Sequence, residues 1–216
     1  MLESLRKRVY EANMDLIRNN LVRWTSGNAS AIDEETGYVV IKPSGVKYEE
    51  LSPDNMVIVD LNGKVIEGDL KPSVDTASHL YVYRHMKNVK GIVHTHSPYA
   101  TSFAIRGEDL EVYTTTSAAM FGQKVRCSDF AIIGEEEIGK EIVEKIGSNT
   151  ALLVRNHGVF TIGDSVESAI KSAVLLEETA EVVHFAKLRG EIVPLDEKIV
   201  ELGYNNYKKD YGQKKK

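Results

Sequence analysis

The chain has 216 residues, of which 42% are hydrophobic and 27% are charged, as expected for a globular domain that buries its own core. A net charge of −5 argues against binding to nucleic acid or to an anionic membrane surface, because both need a basic excess. The single cysteine, Cys127, and the lack of an apolar run near the roughly 20 residues that span a bilayer predict a cytoplasmic protein without a membrane partner.

The first half of the chain is predicted to alternate helices, strands and turns. Apolar residues at helical spacing predict the helices, and Asn62-Gly63 between two apolar runs predicts a hairpin. The predicted elements are, in order, a helix at 3–20, a polar turn at 25–30, a strand at 38–42, the hairpin around 62–63, a helix at 75–86, a strand at 91–96 and a short helix near Pro98.

The second half is read from the same periodicities. Its predicted elements are strands at 110–116 and 124–127, a helix at 135–146, a buried strand at 151–155, a long helix at 165–188 and a short final helix before a Tyr- and Lys-rich tail. The mixture lacks strict βαβ alternation, which predicts an α/β fold with a largely antiparallel or mixed sheet. We expect one domain over residues 1–216, with a C-terminal tail from about residue 195.

Three histidines form the sharpest chemical pattern. His94 and His96 stand two residues apart on a predicted strand, so their side chains point to the same side. His157 ends a separate strand. Three imidazoles with an open position are what catalytic Zn²⁺ needs, while Mn²⁺ and Co²⁺ stay open as alternatives. The competing interpretation is a chance spacing of rings that are hydrogen-bonded in the core.

Two further side chains are candidates for proton transfer. Asp75 lies near a predicted helix start, where it is a fourth metal ligand or a general base, or only a carboxylate stabilised by the helix dipole. Tyr211 lies near the C-terminus. It is a proton donor if the tail covers an active site, and otherwise a hydrophobic anchor.

Two polar turns are candidate anion sites. Residues 25–28 and 42–45 offer backbone N–H groups and small hydroxyls, Lys42 adds a positive charge, and Ser73 could join them. Turns of this kind can cradle a phosphate group. Each turn taken alone is better explained as an ordinary chain reversal.

Together these segments resemble the class II aldolase/adducin family in order and spacing over nearly the whole chain. The N-terminal half is most similar to the L-ribulose-5-phosphate 4-epimerases of that family, and residues 116–135 to its fuculose-phosphate aldolases. The matching segments are Gly27–Ser30, Ile41–Val46, Lys71–Asp75, Gly91–Ser97 and Asn156–Gly158.

The resemblance implies a three-layer α/β/α fold around a mostly antiparallel sheet, and a C4 homotetramer with active sites between subunits. It implies epimerisation of L-ribulose 5-phosphate to D-xylulose 5-phosphate by breaking and remaking a C–C bond, in arabinose catabolism. The residues it implies are Asp75, His94, His96 and His157 at Zn²⁺, Asn28, Lys42, Ser44, Gly45 and Ser73 at phosphate, and Tyr211 as acid/base in the neighbouring subunit's site.

This chain departs from the epimerase pattern at one acid/base position, where Ala119 stands in place of an aspartate. An aldolase that cleaves L-fuculose 1-phosphate to dihydroxyacetone phosphate and an aldehyde is therefore the alternative function. A dehydratase acting on a thioether-substituted ribulose phosphate is a third. A non-catalytic adducin-like binding module is disfavoured because the three histidines are present.

Overall fold

A seven-stranded sheet lies at the centre of the computed structural model, which describes residues 1–210. The strands are β1 (Asn28–Ile32), β2 (Val39–Ile41), β3 (Val57–Val59), β4 (Val65–Glu67), β5 (Gly91–Thr95), β6 (Ala151–Val154) and β7 (Gly158–Gly163). Their order across the sheet is β4-β3-β2-β1-β5-β7-β6, and all six neighbouring pairs are antiparallel. The predicted mostly antiparallel sheet is confirmed.

The described residues, 1–210, form seven α-helices around this sheet. They are α1 (Glu3–Arg18), α2 (Thr76–His85), α3 (Pro98–Arg106), α4 (Thr115–Phe121), α5 (Glu137–Lys145), α6 (Val166–Lys187) and α7 (Glu197–Asp210). Helices α1, α3 and α6 bury their apolar residues against one face, and α2 and α5 bury theirs against the other. This arrangement is the predicted three-layer α/β/α fold.

The alternation of side chains along β5 decides where the histidines lie. Val93 packs in the core beneath α1 and α6, whereas Ile92 packs beneath α2 and α5. His94 therefore points to the α2/α5 side, where its ring stacks on Phe160 of β7 at 4.3 Å between centroids. The sheet register aligns His94 with Asn28 on one neighbour and with Phe160 on the other.

The prediction of a polar turn at residues 25–30 was wrong for its second half, because β1 begins at Asn28 and is a central strand. Asn28 and Ser30 are buried, and their side chains form hydrogen bonds. Because these buried side chains are polar and hydrogen-bonded, the sequence lacks the alternating apolar pattern that would predict a strand here. Strand β7 was also not predicted, although it follows β6 directly through a tight turn.

The strands predicted at 110–116 and 124–127 were wrong as well. Only isolated bridges occur there within the described chain, including Leu110 with Val125. The threonines at 114–116 resemble a strand in composition, but Thr114 and Ser117 form a capping box that begins α4. Helix α7, inside the predicted tail, packs on α4 through Val200 and Ala118.

No helix within residues 1–210 is both long and apolar enough to cross a membrane.

Candidate active site

Three imidazoles converge where β5 ends and where β6 turns into β7. His94 Nε2 and His96 Nε2 are 3.0 Å apart, and one ring nitrogen of each of His94, His96 and His157 lies within 4.8 Å of the others. Histidines that are far apart in the sequence meet because β5 and β7 are hydrogen-bonded neighbours. The structure thus brings together the three histidines singled out in the sequence.

The protonation of these rings suits metal binding. His94 Nδ1 lies 2.9 Å from the carbonyl oxygen of Val159, which can only accept, so Nδ1 carries the proton and Nε2 presents a lone pair. Burial, reinforced by the neighbouring imidazoles, lowers the pKa of His96 and of His157 to about 4. The rings of His96 and His157 are therefore neutral at neutral pH, and the donor set fits a divalent cation.

The turn before β7 leaves no room for a side chain next to this cluster. Asn156 adopts a left-handed conformation with φ of 57°, which turns the chain between the two strands. A Cβ on Gly158 would lie 2.5 Å from the carbonyl oxygen of Thr95 and 2.8 Å from Cδ2 of His96. The absence of a side chain at Gly158 thus lets the two strands bring their histidines together.

Asp75 lies beside the cluster and not at the surface. It precedes the first residue of α2, but its side chain makes no capping hydrogen bond to the helix. Its Oδ2 accepts instead from Asn28 Nδ2 at 2.7 Å. Burial alone would raise the pKa of Asp75, but the electrostatic influence of the His94 and His79 imidazoles and the hydrogen bond from Asn28 bring it below its usual value. The carboxylate is therefore ionised, and the helix-dipole interpretation does not account for its contacts.

A cavity of about 290 Å³ opens beside these residues. Buried Lys42 donates from Nζ to the carbonyl oxygen of Thr25 at 3.0 Å. Its burial lowers the pKa to about 8, against the opposing attraction of Asp75. The cavity combines the predicted metal and anion residues; those lining it include Asn28, Lys42, Ser44, Gly45, Ser73, Asp75, His94, His96 and His157.

The sequence did not predict two other features of the site. Ile133, an exposed apolar residue in the loop before α5, also lines the cavity, and no sequence signal places that loop there. Beneath the site, His79 Nδ1 is 2.7 Å from Ser30 Oγ, which is 2.8 Å from the hydroxyl of Tyr83. Tyr211 lies outside the described residues.

Three imidazoles, a buried carboxylate and a lysine in one cavity are the components of a metal-dependent enzyme that acts on an anionic substrate.

The chain belongs to the class II aldolase family, because the profile of the Class II Aldolase and Adducin N-terminal domain matches residues 7–184. The resemblance seen in the sequence is confirmed. L-ribulose-5-phosphate 4-epimerase UlaF of Salmonella paratyphi C (strain RKS4594) is 40% identical over 231 residues, which cover 99% of this chain and 100% of that protein.

Solved structures of similar proteins share the fold. An L-fuculose 1-phosphate aldolase superposes with a TM-score of 0.89 at 28% identity, over 95% of this chain and 96% of that one. YgbL from Klebsiella pneumoniae superposes with a TM-score of 0.83 at 28% identity, over 94% and 99% of the two chains. The family thus contains both reactions that the sequence pattern indicated.

Proposed function

We propose that the protein is a metal-dependent epimerase that converts L-ribulose 5-phosphate to D-xylulose 5-phosphate. The observation that carries this proposal is a single cavity that holds three imidazoles, a buried carboxylate and a lysine. The 40% identity to an L-ribulose-5-phosphate 4-epimerase along the full length of both chains supports the choice of reaction.

The reaction breaks and remakes the bond between C3 and C4 of the ketose. A base removes the proton of the C4 hydroxyl as that bond breaks, which leaves an enediolate and glycolaldehyde phosphate. The aldehyde turns, the bond forms again on its other face, and the new alkoxide takes the proton back. C4 is then inverted with no net change in atoms or electrons.

We assign the metal site to His94, His96 and His157, with Asp75 beside them, and Zn²⁺ as the ion over Mn²⁺ and Co²⁺. A divalent cation held there supplies a Lewis acid for the negative charge that develops on the ketone oxygen. Asp75, ionised and held by Asn28, accepts a proton or binds the ion. Tyr211 serves as the second proton-transfer group.

We assign the phosphate group to the polar end of the cavity. The ammonium group of Lys42 supplies the positive charge, and Ser44 and Ser73 supply hydroxyl donors. Gly45, which has φ of 68° and space where a side chain would be, allows backbone N–H groups to approach the ligand. Asn28 completes the set with its side-chain amide.

The remaining expectations are proposals from the family resemblance. They are one domain over residues 1–216, a cytoplasmic location, a role in arabinose catabolism, and a C4 homotetramer whose active sites lie between subunits. Light scattering of the purified protein at micromolar concentration tests the tetramer, and a monomeric mass with full activity would contradict the shared sites.

An aldolase acting on L-fuculose 1-phosphate is the second candidate. The observation that favours it is Ala119 in α4, a helix without any carboxylate, where the epimerase pattern has an acid/base aspartate. The superposition on an L-fuculose 1-phosphate aldolase agrees with this alternative. A binding module without catalysis would not need the histidine cluster.

The test is an incubation of the zinc-loaded protein with L-ribulose 5-phosphate, L-fuculose 1-phosphate or L-ribulose 1-phosphate. We expect D-xylulose 5-phosphate from the first substrate and no dihydroxyacetone phosphate from the others. Release of dihydroxyacetone phosphate alone would establish the aldolase. The control is His96→Ala, which should lose both stoichiometric metal and turnover.

A further inference from the structure

Asn28 stands between the two parts of the site. It is the first residue of β1, it is aligned with His94 of β5, and only 1% of it is exposed. Its position beside a metal-ligand candidate is fixed by the sheet and not by a mobile loop. A buried amide in such a place has to direct its hydrogen bonds to specific partners.

Each hydrogen of the Asn28 amide has an acceptor, and the Ser73 hydroxyl is the acceptor that a bound phosphate oxygen can replace. Nδ2 lies 2.7 Å from Asp75 Oδ2 and 3.0 Å from Ser73 Oγ. An ionised carboxylate can only accept, so the Nδ2 atom must face Asp75 and the amide orientation is determined. One N–H therefore points to the metal side, and the other points to the proposed phosphate side.

Asp75 has few other ways to hold its orientation. Its Oδ2 is 3.4 Å from the hydroxyl of Ser73, which is a long contact. The residue is 6% exposed, so water cannot fully replace the bond from Asn28. A buried carboxylate that loses its hydrogen-bond donor is destabilised in its charged form and is free to rotate.

From these contacts we infer that Asn28 is a positioning residue for Asp75: its amide holds the carboxylate toward the histidine cluster, in addition to its proposed contact with phosphate. This inference rests on the proposed metal site. Side chains that hydrogen-bond to metal-site carboxylates commonly change metal affinity by about 10- to 100-fold when removed. Ser73 touches the same amide from the phosphate side and supplies the matched comparison.

The experiment measures two affinities that do not depend on turnover. Zn²⁺ affinity is obtained by competition with a chelator, and inorganic phosphate affinity by calorimetry on the metal-free protein. For Asn28→Ala we expect metal binding about 10- to 100-fold weaker, together with weaker phosphate binding. For Ser73→Ala we expect weaker phosphate binding and metal affinity within about twofold of wild type, since the short bond to Asp75 remains.

A double-mutant cycle tests whether Asn28 acts through Asp75. In an Asp75→Asn background, Asn28→Ala should change Zn²⁺ affinity by less than about twofold, because the group it positions is altered already. Asn28→Ser, which keeps a small polar side chain, repeats the measurement in case the alanine variant does not fold.

Two outcomes overturn the inference. One is Asn28→Ala with wild-type Zn²⁺ affinity and weak phosphate binding, which would leave Asn28 as a phosphate contact only. The other is an equal loss of Zn²⁺ affinity when Asn28→Ala is introduced into the wild-type protein and into the Asp75→Asn variant. Failure of the proposed function looks different, since it would appear as a wild-type protein that binds no divalent cation or turns over no ketose phosphate.

Discussion

Replacing Gly158 by alanine should displace the histidine cluster, although it substitutes none of the three histidines. The backbone of Gly158 does not lie in the left-handed region, so an alanine there meets no dihedral penalty and the conflict is purely steric. Its Cβ would fall 2.5 Å from the Thr95 carbonyl oxygen and 2.8 Å from the His96 ring, whereas ordinary contacts begin at 3.4 Å. The strand or the ring must therefore move by about 0.6 to 0.9 Å.

A shift of that size exceeds the tolerance of about 0.2 Å in metal–ligand distances. We expect Gly158→Ala to bind Zn²⁺ at least tenfold more weakly and to lose about 100-fold in kcat/KM, the usual effect of a 1 Å misplacement. Overpacking should also cost about 1–3 kcal/mol of stability. Chelator competition, steady-state kinetics and urea denaturation measure the three effects.

The matched control is Gly203→Ala in α7, where the new Cβ would meet only the Cβ of Ala118, at 3.5 Å. It makes the same chemical change in a helix, so stability should rise by about 0.5–1 kcal/mol and metal affinity should not change. Wild-type Zn²⁺ affinity in Gly158→Ala would refute the steric reasoning.

Three further predictions concern proton transfer and charge. Tyr211→Phe should slow turnover by about 10²- to 10⁴-fold with metal content unchanged, and lost metal would contradict its acid/base role. Because Lys42 has a pKa of about 8, its charge is lost as pH rises from 7 to 9. Calorimetry should therefore show the phosphate affinity of the wild type falling over this range relative to that of Lys42→Arg. The same dependence of affinity on pH in both proteins would contradict this. Burial lowers the pKa of His79 to about 3, below the value near 6.5 of an unfolded chain. The unfolded state therefore takes up the proton first as pH falls, which lowers the free energy of unfolding. Urea denaturation of the metal-free protein should show a larger decrease in that free energy between pH 7 and 4 than in the His79→Gln variant. Equal decreases in the two proteins would contradict this prediction.

The elements predicted correctly are those with a strong local signal. The hairpin at Asn62-Gly63 was one of them, since Gly63 has φ of 85° in the turn between β3 and β4. The spacing of His94 and His96 was another, because side chains two residues apart share a side of an extended chain. Both depend on residues that are near one another in the sequence.

The elements that the sequence did not predict depend on the pairing of strands that are far apart along the chain. Asn28 looks like a turn residue in the sequence and becomes part of a central strand because β2 and β5 pair on either side of it. The bond from Asn28 to Asp75 follows from that pairing and has no local signal. The error at Thr114 has a different cause. Its β-branched side chain favours a strand, but its hydroxyl accepts a hydrogen bond that caps the start of α4.

The choice between epimerase and aldolase follows from which half of the substrate the proposed phosphate pocket retains. In L-ribulose 5-phosphate the phosphate group is on the aldehyde half, so a pocket that holds phosphate also holds the aldehyde while it turns and is added again. In L-fuculose 1-phosphate the phosphate group is on the ketone half, and the aldehyde is free to leave. The same histidines and the same lysine can therefore serve either reaction. The outcome depends on the span between Lys42 and the histidine cluster, because a 5-phosphate lies three carbons from the ketone and a 1-phosphate lies one.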